Sequence, residues 1–311
     1  MTSSVALPTR HLWRTQDLRE SSTWYRQATL ELVDELQQIA AWAGGNLDAI
    51  TPKALQNFAT PSIDELVTWI RWEIGPQGFG VAKLHGLPTD AHFLAAISLV
   101  LGSSVGTILE NYGRIYDVYD RGGCYKNQAI PVSQTRHPTG FHTDSARRET
   151  VPDVITLTCV RDGIGGNTHL VSAAKIYHRL VAERPEFIEL LHESYVRAVV
   201  TPGTEPTPEA LIANQFPIFE LGPGGDGLTF RYMRYWIEQG QTLAGAPIDG
   251  QTTAALDWLD TTLSDPTHYH EQHLNPGDIV WIANRDIAHA RSLYENRPQK
   301  TRLLYRMWLR N

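Results

Sequence analysis

From Gly102 onward the chain breaks into short apolar runs closed by glycine or proline, and that punctuation leaves few folds open. Val154–Val160 (V-I-T-L-T-C-V), Pro217–Leu221, Leu228–Tyr232, Asp278–Ala283 and Arg302–Leu309 have strand length and are rich in β-branched and aromatic residues. Helical patterns interrupt them at Ala173–Ala182, after Pro185 and at Asp249–Leu263. Strands and helices do not alternate as βαβ units do, so a sandwich or barrel is expected rather than a parallel sheet. The reading is an α+β chain with a jelly-roll core (double-stranded β-helix) over 103–311 and helices packed outside it.

Residues 1–102 have a different texture and read as mainly helical. Ala28, Leu32, Leu36, Ile39 and Ala43 fall at three- and four-residue steps, predicting a helix over Thr23–Ala43 that Gly44-Gly45 ends. Ser62 followed by Glu65 reads as a capping box that opens a helix through Leu66, Ile70 and Ile74, stopping at Gly75. A third helix is predicted over Thr89–Leu101, closed by Gly102, with G-F-G-V-A-K-L-H-G before it as a short strand. No repeat or low-complexity linker divides the chain, so 1–311 is expected to be a single domain. Thr201–Ala213, rich in Pro, Thr and Glu, is expected to form a lid.

Charge and composition exclude some functions. A formal charge of −7 without a long Lys/Arg run argues against a nucleic-acid footprint. No apolar run has the length a membrane span needs, and M-T-S-S-V-A-L-P-T-R-H lacks the apolar core of a signal peptide. Cys124 and Cys159 make no disulfide framework. The expectation is a cytoplasmic protein acting on a small molecule, with no nucleic-acid or membrane partner.

Chemistry enters at G-F-H-T-D. His142 and Asp144 are two residues apart, which on a strand sends both side chains to one face. An imidazole and a carboxylate on one face are two thirds of a facial triad for non-haem iron(II). Of the twelve histidines only His142 has an acidic residue two positions later, yet His-x-Asp alone is equally a surface pair. A third ligand has to come from elsewhere, and His289 stands in N-R-D-I-A-H-A-R just after a strand-like run. Thirteen residues later, Arg302, Leu304 and Arg306 alternate with Leu303, Tyr305 and Met307. Two arginines on one face of a core strand need anionic partners, and a dicarboxylate gripped by guanidinium would be one.

Taken in order, these landmarks resemble the taurine dioxygenase and clavaminate synthase-like group of iron/2-oxoglutarate oxygenases. The resemblance covers most of Tyr116–Asn311: H-T-D at His142, P-D-V-I-T-L-T-C-V-R-D, G-G-N-T at Gly165, L-T-F-R-Y-M-R-Y-W-I-E at Leu228, P-G-D at Pro276 and the histidine-to-arginine tail. It implies that His142, Asp144 and His289 bind Fe(II). It also implies that Arg302 clamps the distal carboxylate of 2-oxoglutarate with help from Thr168, and that Arg306 reaches substrate or co-substrate. The interval from His289 varies within the family, so which arginine is the main clamp stays open. With O2 as the other co-substrate, the implied reaction is hydroxylation of a small amino-acid-like or carboxylate metabolite, free or tethered to a carrier protein, with release of succinate and CO2. Desaturation and cyclisation use the same cofactor chemistry. Halogenation is disfavoured because halogenating relatives have glycine or alanine where Asp144 stands. A zinc hydrolase has no use for a co-substrate arginine, and a non-catalytic jelly-roll module has no use for the whole constellation.

Other residues carry weaker expectations. His268, His270 and His273 read as a solvated strand face rather than a second metal site. Trp236 and Trp308 read as packing anchors, with lining a pocket as the alternative. Glu110, Tyr116, Asp117 and Ser133 either border the substrate and receive its amino group or belong to an ordinary hairpin. Arg147, Arg148 and Glu149 read as surface charge, with contact to a lid as the alternative.

Overall fold

The computed structural model of the chain describes residues 7–123, 130–145, 147, 151–198, 207–222 and 227–311. Two β-sheets face each other. The larger has seven strands, in the order Tyr25–Gln27, Val81–His85, Ile279–Ala283, Val154–Arg161, Leu303–Arg310 and Thr107–Ile108, with Tyr116–Val118 also paired to the Leu303–Arg310 strand. Only the first pair is parallel. The smaller runs His270–Gln272, Thr168–Ser172, Ile287–Arg291 and Thr139–His142, all antiparallel.

Alternation along the strands builds the layers. In I-V-W-I, Ile279 and Trp281 pack with Ile39, Ile70 and Leu94 of the N-terminal helices, whereas Val280 and Ile282 pack with Leu170 and Ile287 of the smaller sheet. The C-terminal strand divides the same way, with Leu303, Met307 and Leu309 toward the helices and Leu304 and Trp308 toward the other sheet. This is why both runs are nearly continuous in apolar residues: each strand is buried on both faces. Val171, Ala288 and Ala290, on the smaller sheet, pack against Ile176 and Tyr177 of the helix Ala173–Glu183 and Leu256 and Leu259 of the helix Gly250–Ser264.

The N-terminal part differs from expectation at its element ends. The first amphipathic helix is Leu30–Ala43, capped by Thr29, whose hydroxyl accepts from Leu32 N–H. Tyr25–Gln27, expected to be helical, is instead the edge strand beside Val81–His85. The helix Pro61–Ile74 has no capping box at Ser62. Pro61 occupies the first turn, and the Glu35 carboxylate of the neighbouring helix accepts from Ser62 and Ile63 N–H at 3.0 Å each. Gly102 does not end its helix, which runs Ala91–Val105; there the missing side chain makes room for Met307, whose Cε would lie 2.6 Å from a Cβ. Downstream, Leu228–Tyr232 is shorter than expected, a strand of Leu228–Phe230, and a helix that the pattern did not signal follows at Arg234–Leu243. Of the expected lid, Pro208–Ala213 is a short helix capped by Thr207; 201–206, like Cys124, lies outside the described residues. Among the described residues no helix is long and apolar enough to cross a membrane.

P-G-D has a structural role. Gly277 has φ +89°, and a Cβ there would collide with the Leu87 carbonyl oxygen. Its N–H donates to Cys159 O at 2.9 Å, and the next residue, Asp278, pairs with Lys83 at 2.9 Å with both side chains largely buried. Gly277→Ala is expected to cost about 1–3 kcal/mol from the backbone conformation alone, read as a lower urea midpoint; an unchanged midpoint would show that the turn relaxes freely.

Candidate metal centre and its cavity

The site lies between the sheets, where the strand Thr139–His142 ends beside the middle of the strand Ile287–Arg291. Thr139–His142 and Ile287–Arg291 pair so that His142 stands directly opposite His289, with ring centroids 4.3 Å apart. After His142 the chain leaves the sheet. Thr143 and Tyr232 exchange hydrogen bonds at 2.9 and 3.1 Å, and Asn284 grips Asp144 through its N–H (2.7 Å) and its carbonyl (3.1 Å). Ser145 follows with φ +77°, an unfavourable conformation for a residue with a side chain.

The three side chains converge. Asp144 Oδ1 lies 3.6 Å from His142 Nε2 and 3.7 Å from His289 Nε2, too far for hydrogen bonds, and one nitrogen or oxygen from each residue falls within 4.8 Å of the others. His142 Nδ1 lies 2.9 Å from Gly140 O. A carbonyl only accepts, so Nδ1 carries the proton and Nε2 presents its lone pair. Burial and the neighbouring His289 hold His142 down to about 3, so it is neutral. Burial pushes Asp144 up, but Arg306 and the two imidazoles outweigh it and hold the carboxyl well below the usual carboxylate range. Its second oxygen, Oδ2, accepts from Trp308 Nε1 at 2.7 Å and Arg306 Nη1 at 3.1 Å, so Oδ1 is the atom left facing the imidazoles. Two imidazoles and one ionised carboxylate, all at or below 9% exposure, form a donor set suited to a divalent metal.

A cavity of about 270 Å³ opens on this cluster. Arg302, Leu304, Arg306 and Trp308, successive residues on one face of the C-terminal strand, line it together with Thr168. Arg302 is 3% exposed, and its Nη1 is buried with no hydrogen-bond partner. Its guanidinium lies 4.7 Å from the Tyr294 ring, and Gly166 leaves it space, since a Cβ there would be 3.1 Å from Arg302 Nε. Thr168 pairs with Arg291 in the smaller sheet, and Arg291 holds the carbonyls of Thr135 (2.6 Å) and His137 (2.5 Å). Burial lowers both arginines, Arg291 to about 10, which leaves each cationic at neutral pH.

Several expectations are corrected here. Trp308 is more than packing, because it hydrogen-bonds Asp144, and Trp236 lines the cavity. Glu110 and Asp117 are exposed and do not line it; Tyr116 lies under Arg306, 4.7 Å from ring to guanidinium, and of that group only Ser133 reaches the cavity wall. His270 is buried edge-on to Trp24 rather than solvated, while His268 contacts Arg179 and His273 bonds Asn167 at 3.0 Å. Among the described residues, His142, Asp144 and His289 are the single cluster able to hold a metal. Arg147 lines the cavity; Arg148 and Glu149 lie outside the described residues. Sequence reading missed Arg197, Arg231, Arg291 and Asn284. Only Arg291 carried a signal, its two-residue spacing from His289.

Comparison with known proteins agrees with this geometry. The family model "Taurine catabolism dioxygenase TauD, TfdA family" matches residues 48–308. A curated relative, FR-33289 synthase of Streptomyces rubellomurinus, is 25% identical over 327 residues, covering 96% of this chain and 89% of the relative. Among solved structures, asparagine oxygenase with Fe(II), 2S,3S-3-hydroxyasparagine and succinate superposes with a TM-score of 0.68 at 18% identity, covering 92% of this chain and 93% of that one. The non-heme iron oxygenase OrfP with Fe, succinate and (3S)-hydroxy-L-Arg gives 0.67 at 13% identity, covering 92% and 94%.

Proposed function

Because the chain belongs to the TauD/TfdA family of Fe(II)/2-oxoglutarate-dependent dioxygenases, we propose that His142, Asp144 and His289 hold its iron and that Arg302 and Thr168 bind the far carboxylate of 2-oxoglutarate. The observation that carries this reading is a buried Arg302 whose Nη1 lacks a partner among the described residues, in the same cavity as a triad of two imidazoles and one carboxylate. The bound iron and 2-oxoglutarate supply dioxygen activation coupled to oxidative decarboxylation, which releases succinate and CO2. The chain's own residues do the positioning. Gly140 fixes the His142 tautomer, Asn284 fixes the Asp144 backbone, and Trp308 and Arg306 direct one carboxylate oxygen inward. Arg306 is thereby assigned to the iron ligand, not to a substrate anion.

We further infer a single domain over 1–311 with a jelly-roll core, supported by the two facing, mainly antiparallel sheets and the helices that cover both. The reaction proposed is hydroxylation of an unactivated C–H in a small anionic metabolite. The hydroxylated amino acids in the two similar structures support that reaction type. Asp144 leaves no place on iron for a halide, and a zinc hydrolase offers no anion for Arg302. The test is an anaerobic titration with Fe(II) and 2-oxoglutarate, expected to give the weak visible charge-transfer band of a chelated keto acid. Absence of that band would rule out the assignment. In the same assay Trp308→Phe, which deletes one donor to Asp144, is expected to weaken iron binding roughly 10–100-fold, the usual effect of losing a group that orients a ligand. Wild-type iron affinity in that variant would show the bond to be idle.

A further inference from the structure

One step along the strand from His289, a complete row of the smaller sheet faces the cavity. Strand register sets Gln272 opposite Thr168, Thr168 opposite Arg291 and Arg291 opposite Thr139. Directly opposed residues share a face, with Cβ atoms about 4.5–5.5 Å apart. Thr139, Thr168 and Arg291 line the cavity, so Gln272 is turned to the same side. His270, two residues before it, lies on that face too and packs edge-on to Trp24 between the sheets. From the larger sheet comes Arg302, whose guanidinium shares the Tyr294 ring with that of Arg291, at 4.7 and 4.9 Å.

The row is short of partners among the described residues. Gln272 is 8% exposed, and neither its Nε2 nor its Oε1 makes a hydrogen bond. Arg291 Nε and Arg302 Nη1 are buried in the same state. Arg291 Nη2 donates to the carbonyls of Thr135 and His137, which satisfy donors but bring no charge. Asp144, the one acidic residue among those lining the cavity, is held by Arg306 and Trp308. Arg197 is a further buried guanidinium on another wall. It lies 3.7 Å from the Phe216 ring, where Gly240 lets the helix Arg234–Leu243 approach the Val196 carbonyl. A ring face is a weak substitute for an anion, and an amide buried without partners is unfavourable. Two cations and one amide therefore converge on a space suited to a negative group.

We propose that Arg291 and Gln272 complete the seat of the co-substrate's far carboxylate, one on each side of Thr168. A carboxylate has about four lone-pair sites. Arg302 Nη1, Arg291 Nε, the Thr168 hydroxyl and Gln272 Nε2 are donors for them. The row thereby selects a keto acid that ends in a second carboxylate. The proposal rests on the oxygenase reading above, which puts that carboxylate at Arg302 and Thr168.

The experiment uses the full chain, anaerobic, with Fe(II). The visible band is titrated with 2-oxoglutarate and with 2-oxopentanoate, which has the same carbon chain and no far carboxylate. The wild type is expected to bind 2-oxoglutarate roughly a hundredfold more tightly, as for a buried charge pair. Gln272→Met and Arg291→Met are each expected to weaken 2-oxoglutarate roughly 10- to 100-fold, the worth of a hydrogen bond to a charged group. Both should leave 2-oxopentanoate binding unchanged. The urea midpoint of Gln272→Met without co-substrate should hold or rise, because an unpaired amide is removed. If Arg291→Met does not fold once the Thr135 and His137 carbonyls lose their donor, Gln272→Met decides. Equal loss on both keto acids, or wild-type affinity for 2-oxoglutarate in Gln272→Met, overturns the proposal while the band leaves the oxygenase reading intact. Absence of the band in the wild type overturns both.

Discussion

His142→Ala and His289→Ala are each expected to lower succinate release to background and to abolish the anaerobic visible band. Two remaining donors cannot define one face of an octahedral iron(II). The loss is expected to be chemical rather than structural. His142 and His289 stand side by side on paired strands at one wall of the cavity, and those strands are held by backbone pairing and by Phe141, Ala288 and Ala290 on the opposite face. Alanine keeps that pairing, and Arg306 and Trp308 still hold the Asp144 carboxylate. Asp144→Ala is a less clean test, because it would strip Arg306 and Trp308 of their shared acceptor and leave a buried guanidinium unpaired. Breaking such a pair costs about 3–5 kcal/mol, so an inactive Asp144 variant would confound lost iron with lost stability. The informative comparison is therefore iron content and turnover in the two histidine variants beside their urea midpoints. Near-normal turnover with stoichiometric iron in either would remove the proposed assignment.

What was legible in the sequence follows from the range of the forces involved. Alternation in R-L-L-Y-R-M-W was enough to put Arg302 and Arg306 on one face, because a strand's two-residue period is local, and the same period would have placed Trp308 beside them. Tryptophan in an apolar run ordinarily packs; the bond of Trp308 to Asp144 depends on strand pairing that the run does not encode. The helix cap at Ser62 failed for the same reason. Its N–H has a partner, but that partner is Glu35 on another helix. Tyr25–Gln27 fits a helical period, yet tertiary pairing with Val81–His85 drew it into the sheet. Arg197 had no local signal at all. It follows a three-residue strand, and the close seat of the helix at Gly240 and the turn at Asn214 help to bury it. Residues set by their own strand's period are readable from the residues alone; the roles of His289 and Thr168, which come from other strands, enter through the family resemblance.

Arg302→Leu is expected to raise the KM for 2-oxoglutarate far more than the KM for the substrate. Truncating one partner of a buried, hydrogen-bonded charge pair costs about 2–5 kcal/mol, which corresponds to roughly 30- to several-thousand-fold. The stability of the protein without co-substrate should move little or rise. Arg302 Nη1 has no hydrogen-bond partner among the described residues, so leucine removes a buried charge rather than breaking a pair. That opposite behaviour, weaker co-substrate binding without loss of the fold, separates a binding arginine from a structural one. Thr168→Val should follow in the same direction by roughly 0.5–1.5 kcal/mol, the worth of one neutral hydrogen bond. Arg306→Leu should behave differently, because its guanidinium lies 3.1 Å from Asp144 Oδ2 between the rings of Tyr116 and Trp308. Its loss should weaken iron binding first and co-substrate binding only as a consequence. Measuring iron affinity and the 2-oxoglutarate KM in both variants resolves the choice that sequence spacing left open. If Arg306→Leu carries the selective co-substrate defect and Arg302→Leu spares it, the two roles are reversed, and the unpartnered Nη1 of Arg302 needs another anion to explain it.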